Sequence, residues 1–335
     1  MVVAWHARGY CPELSATQGR FVFFLASVCV PIFFLADGYL FAESVVTGRP
    51  YTYRSYVHKS AVKLLVPWLF FTVLYALARY PLEQAGFLSD RLIVGRSPAT
   101  MLLFGWGSVY AGQLYFLMSL FLIRLATPAV RRLCAMKRLK AVFLCAAFYL
   151  AYRLVIGPLD HVIRIPGGQE PLLHALWGCQ FYLFGVLLRL FNGAVARASS
   201  GIAAATLGVL IVLELASPGA LVPGRPVTQY LYSLGVFTLF LRACRNKNGT
   251  SRIGRSTMGI YLFHAPLLLK AASIAGAKLP APPLVVYFAL TITVFLAAYC
   301  LGELVARLPY GSLLLGASGR RQDAEAGNPR LLAAT

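Results

Sequence analysis

Residues 21–46 read FVFFLASVCVPIFFLADGYLFAESVV, a run whose first sixteen positions carry no charge. At about 1.5 Å per helical residue the run exceeds the roughly 30 Å of a bilayer's hydrocarbon core. Similar runs recur on both sides of it. Apolar segments fall at about 1–10, 20–46, 61–80, 99–128, 139–157, 172–191, 201–217, 226–243, 257–277 and 283–306, between charged or Gly/Pro punctuation. Hydrophobic residues make up 59% of the 335 and charged residues 13%, whereas a soluble domain carries about a quarter charged. The expected fold is an all-α integral membrane protein, a polytopic bundle of about ten transmembrane helices over residues 1–309. Residues 310–335 are small and polar and read as a disordered cytoplasmic tail.

The net charge of +20 does not require a nucleic-acid partner. The basic residues cluster between apolar runs, where cytoplasmic loops carry them. With the amino terminus inside, Lys and Arg favour the inner loops about two to one, which predicts both termini in the cytoplasm. Seven scattered cysteines without a C-x-x-C supply neither a metal site nor a disulfide framework. Nucleophile elbows, Walker loops, H-E-x-x-H and dinucleotide fingerprints are absent.

The first segment, MVVAWHARGY, has ten residues and is too short to span alone. It reads either as a re-entrant stub or as half of a truncated first helix with the rest encoded upstream, and the second is the expectation. Ionisable groups inside spans are functional candidates by default. Here they are His6, Asp37, Glu43, Arg124, Arg153, His174, Glu214, His264 and Glu303. Asp37 needs a partner or will hold its proton, and the adjacent Gly38 permits close approach of a helix or ligand. Tyr261 and His264 share a helix face, with Pro266 loosening the backbone nearby. Arg54 and His58 are four apart, as are Lys59 and Lys63; the two ammonium groups either hold donor phosphates or anchor the span against anionic lipid. Asp160-His161 is a weaker acid–base pair in a polar loop.

Several of these motifs occur in one order. VVAWH at 2–6, PIFFLADGYLF at 31–41, KSAVKLLVPWLF at 59–70, GQLYFLMSLFLIRLATP at 112–128 and IGRSTMGIYLFHAPLLL at 253–269 together resemble the acyltransferase 3 family of membrane-bound O-acyltransferases. The resemblance covers about residues 1–270. It implies an acyl-CoA co-substrate, with acetyl-CoA the simplest, and no bound cofactor or metal. The implied acceptor is a saccharide or lipid-linked glycan, and the implied location is a bacterial inner membrane. His6 matches the family's catalytic base. Lys59 and Lys63, with Arg54 beside them, match the basic residues that hold the donor, Tyr261 and His264 would line the cavity, and Asp37 is a further candidate for binding substrate or donor. Three departures stand out: the family's Arg eleven residues before the base falls upstream of Met1, Asp37 replaces a usual Ser, and Tyr115 replaces a common Trp. The competing readings are a glycan or metabolite transporter without enzymatic activity, and an inactive remnant.

Overall fold

The computed structural model describes residues 2–11, 14–88, 91–159, 170–191, 200–216, 226–244, 250–276 and 278–316. All regular structure in these residues is helical. The first half holds α1 (Val2–Ala7), α2 (Ala16–Ala26), α3 (Cys29–Val46), α4 (Tyr53–Gln84), α5 (Pro98–Trp106), α6 (Tyr115–Leu125), α7 (Thr127–Ala135) and α8 (Arg138–Ala151). The second holds α9 (Pro171–Leu190), α10 (Ser200–Ala216), α11 (Pro226–Cys244), α12 (Thr250–Phe263), α13 (Leu269–Gly276), α14 (Pro283–Arg307) and the single turn α15 (Gly311–Leu314).

Local chemistry sets the boundaries. Ser15 caps α2 and forms a reciprocal box with Gln18, both bonds at 3.2 Å. Pro98 and Pro171 open α5 and α9, where a missing N–H costs nothing, and Ser97 and Glu170 cap those ends. Pro31 sits in the first turn of α3, just after the break at Ser27–Val28, so it begins a helix and does not bend one.

Six stretches among the described residues are long and apolar enough to cross a membrane: Ala16–Val46, Tyr53–Gln84, Arg138–Ile156, Pro171–Leu190, Ser256–Gly276 and Pro283–Arg307. A seventh counts if the pair Gly112–Leu125 and Thr127–Ala135, bent by 53°, is one span. The expected count of about ten is not confirmed. Part of the difference lies in the run at 99–128, which is not one helix. Glycines at 105, 107 and 112 interrupt it, Ser108 takes a left-handed φ of 52°, and a short 3-10 turn at Gly112–Leu114 leads into α6.

The surface is inverted relative to a soluble protein. Leu77, Phe143, Leu154, Ile292 and Leu296 all stand more than half exposed, and apolar cover on this scale fits a multi-pass membrane protein. Inside, α3, α4, α6 and α9 share an aromatic-rich core that includes Phe34, Phe71, Phe116 and Phe181. The α3–α9 contact is a close one. A Cβ on Gly38 would lie 2.0 Å from the Tyr182 carbonyl oxygen, and one on Gly185 would lie 2.0 Å from that of Leu35. Gly38 thus admits a helix backbone, the packing device common between membrane helices. A second core joins α1 to α12, α13 and α14 through Val3, Ile260, Leu269, Tyr287 and Val294. The chain stays ordered past the expected tail boundary at 310. Leu315 is buried, and Gly316 lies against the Lys63 carbonyl, because the apolar GSLLLG turn has α4 and α14 to pack on. The remainder of the tail, residues 317–335, lies outside the described residues.

Candidate active site

The helix carrying His264 is interrupted, and the interruption builds the site. Ala265 leaves helical geometry at φ −134° and ψ 155°, as expected for a residue before proline. Pro266 has no N–H to return to the Leu262 carbonyl, and that carbonyl accepts the Tyr75 hydroxyl of α4 at 2.6 Å. The Tyr261 carbonyl accepts His264 Nδ1 at 2.7 Å, with the Ile260 carbonyl at 3.1 Å. The Ala265 carbonyl accepts the Gln113 side-chain amide, and the Tyr261 hydroxyl donates back to the Gln113 carbonyl. Buried backbone groups must be satisfied in an apolar setting, and here side chains from α4 and the α5–α6 break do so.

These bonds define the state of His264. Carbonyls only accept, so Nδ1 carries the proton and Nε2 presents a lone pair. The ring is fully buried, and Nε2 has no hydrogen-bond partner among the described residues. The His6 ring lies with its centroid 5.1 Å from that of His264, at 53° between planes, and the Tyr261 ring lies 6.0 Å from His264. His6 is held there by the packing of α1. The Ala4 carbonyl accepts the Tyr287 hydroxyl of α14 at 2.9 Å, and Trp5 packs on Phe23 of α2 at 4.8 Å. Three of the expected residues, His6, Tyr261 and His264, therefore meet. Gln113 completes the group and was missed, since a lone Gln in an apolar run carries no periodic signal.

Asp37 lies elsewhere. Its carboxylate forms a two-pronged pair with the Arg124 guanidinium of α6, with Nε to Oδ2 at 3.0 Å, and Ser60 of α4 stands 3.5 Å from the same guanidinium. The partner that a membrane carboxylate requires is thus a side chain of this protein. Glu43 likewise pairs with Arg189. Arg54, Lys59 and Lys63 are exposed on the first third of α4, the end that also receives Arg131 and the Tyr51–Thr127 hydrogen bond. Glu303 accepts from Ser256, Arg153 is exposed, and His174 packs edge-on against Tyr115. Asp160-His161 and the side chain of Glu214 lie outside the described residues. Among the described residues no cluster of three or more His, Cys, Asp or Glu is placed to hold a metal.

Fold and site together define a class: a multi-pass helical membrane protein with an imidazole pair at the meeting of a short N-terminal helix and a proline-broken one. The family assignment is narrower. The chain belongs to the acyltransferase 3 family, whose acyltransferase-domain model matches residues 1–303, and it is an acyltransferase on that ground. Neither a curated protein sequence nor a solved structure matches it.

Proposed function

We propose that the protein transfers an acyl group, acetyl in the simplest case, from acyl-CoA to a hydroxyl of a saccharide or lipid-linked glycan, with His6 as general base. The observation that carries this reading is the His6–His264 pair at 5.1 Å, with an unpartnered Nε2 beside it. His6 takes the proton of the acceptor hydroxyl and the oxygen attacks the thioester carbonyl. The tetrahedral adduct breaks its C–S bond, and the departing thiolate recovers the proton from the imidazolium. His264, its tautomer locked by the Tyr261 and Ile260 carbonyls, leaves its Nε2 lone pair free beside His6, and we assign it the role of the third group that aligns the base once the acceptor is bound.

Donor binding is assigned to Arg54, Lys59 and Lys63. Lys63 precedes Tyr75 by twelve residues on α4, or about 18 Å along the axis. Tyr75 bonds to the strand of backbone just before His264. The extended pantetheine arm of CoA separates phosphates from thioester by a reach of this order. Lys and Arg suit phosphate, and cytoplasmic CoA would place this end inside a bacterial inner membrane.

The test uses purified protein in lipid nanodiscs with radiolabelled acetyl-CoA and a panel of methyl glycosides. Acyl transfer is expected, and His6→Ala should lower it about 10²-fold or more. Absence of both transfer and acyl-CoA hydrolysis would overturn the reading; transfer at full rate in His6→Ala would remove the base assignment.

A further inference from the structure

A small cavity of about 170 Å³ lies among Tyr115, Tyr152, Leu173, His174 and Trp177, where α6 and α9 begin and α8 continues beyond Ala151. We infer that it is the subsite for a neutral pyranose ring of the acceptor, an assignment that rests on the acyltransferase reading above.

The lining argues for that ligand chemistry. Tyr115 and His174 meet edge-on at 4.7 Å, and His174 and Trp177 at 6.5 Å, so the aromatic walls stand at steep angles around the space. Aromatic faces cover the C–H faces of a sugar ring, while the polar edges of Tyr and His remain for its hydroxyls. The polar edges are available. His174 Nδ1 faces the Glu170 carbonyl at 3.0 Å, so it holds the proton and Nε2 presents a lone pair. Neither Nε2 of His174 nor the Tyr115 hydroxyl has a hydrogen-bond partner among the described residues. One accepts from a sugar hydroxyl; the other both donates and accepts.

Charge narrows the choice further. Among the described residues no Lys or Arg lines the cavity, which disfavours a phosphate or the CoA nucleotide. The Glu170 carboxylate, three residues before lining residue Leu173, is engaged by Trp106 Nε1 at 3.2 Å and by the Leu173 amide at 2.7 Å. A mostly apolar concavity with a few convergent neutral polar groups is the usual form of a small-molecule site. The cavity is linked to the imidazole pair through the segment that carries Tyr115. Tyr115 lies two residues from Gln113, whose amide and carbonyl are bonded to Ala265 and Tyr261, and Phe116 packs on Tyr261 at 5.7 Å. A ring held on Tyr115 is therefore two residues along the chain from the side chain that braces the break after His264.

Saturation-transfer NMR on the full protein in nanodiscs tests the assignment without acyl donor. The probes are the methyl glycosides of glucose, galactose, mannose, N-acetylglucosamine and rhamnose. At least one is expected to bind saturably, with transfer strongest to its ring C–H protons. Trp177→Leu should weaken that binding about tenfold, and Tyr115→Phe and His174→Gln by several-fold each. Trp177→Tyr, which keeps a ring against Phe34 and Phe181, should largely restore it. No saturable binding by any probe, or binding unmoved by Tyr115→Phe and His174→Gln in folded protein, overturns the subsite. The two readings fail separately. Sugar binding that persists where wild-type protein transfers no acyl group sinks the acyltransferase reading alone, whereas transfer without this binding sinks the subsite alone.

Discussion

His264 has one nitrogen committed to backbone carbonyls and one committed to nothing. The two can be separated by substitution. Asn places an amide N–H near the Nδ1 position and offers no acceptor at the far edge of the ring. His264→Asn is therefore expected to keep thermal stability near wild type and to lower kcat for acyl transfer about tenfold or more, with KM for acyl-CoA nearly unchanged. Equal loss of stability and rate would make the residue a packing element only. Glu83 gives the opposite case, a residue with a structural task and no catalytic one. Its fully buried carboxylate accepts the backbone amides of Leu92, Ile93 and Val94 at 2.9–3.0 Å and pairs with Arg79. Glu83→Ala orphans three amides and should destabilise the protein by about 3 kcal/mol, read as a lowered melting temperature in detergent. Neither assignment was visible in the sequence. Burial of one lone carboxylate at a span end, and the tautomer of one His, follow from carbonyls and amides that only the folded chain brings near.

Between elements, what was legible depended on how local the cause is. The helices, and the loosening at Pro266, follow from apolar run length and from the missing proline N–H, both of which act within a few residues. The break after Trp106 was missed, because glycines in an otherwise apolar stretch leave mean hydropathy high while the backbone turns. Resemblance, and no periodicity, brought His6 and His264 into one expected site, since α1 and the His264 segment lie far apart in the chain and meet through tertiary packing that also involves α14. Asp37 was read as a substrate- or donor-binding residue; its carboxylate joins α3 to Arg124 of α6. Breaking a pair of this kind leaves an uncompensated charge, while replacing both members with apolar residues is often close to neutral. Asp37→Leu alone is expected to cost about 3 kcal/mol, and Asp37→Leu with Arg124→Met to recover most of it, measured by thermal unfolding. If the double variant folds but has lost all acyl-CoA binding, Asp37 belongs to the donor site as first expected. The α3–α9 contact permits a similar reading: Gly38→Ala pushes a methyl into the Tyr182 carbonyl and should cost about 1–3 kcal/mol.

At the scale of the whole molecule, α4 acts as a ruler. Its 32 residues extend about 48 Å, well beyond a roughly 30 Å hydrocarbon core, so its two ends stand in different surroundings. One end carries Arg54, Lys59 and Lys63 and meets the end of α6 through the Tyr53–Leu125 bond at 3.1 Å. The other ends in the Glu83 carboxylate and its loop. Basic residues concentrate on the cytoplasmic side of membrane proteins, and a phosphate-rich soluble donor would be recruited there. The sidedness and the donor assignment thus make one joint prediction. In protein lacking its native cysteines, a membrane-impermeant maleimide should label Ser55→Cys and Lys137→Cys from one face of sealed vesicles, and Arg91→Cys from the other. Acyl-CoA should support transfer only from the face that labels Ser55→Cys. Lys59→Gln with Lys63→Gln should raise KM for acyl-CoA about tenfold with kcat little changed, and the wild-type KM should rise with ionic strength as the lysines are screened. Transfer driven from the Arg91 face would detach the lysines from the donor and leave them as anchors against anionic lipid, the role that a charged helix end takes when no ligand claims it.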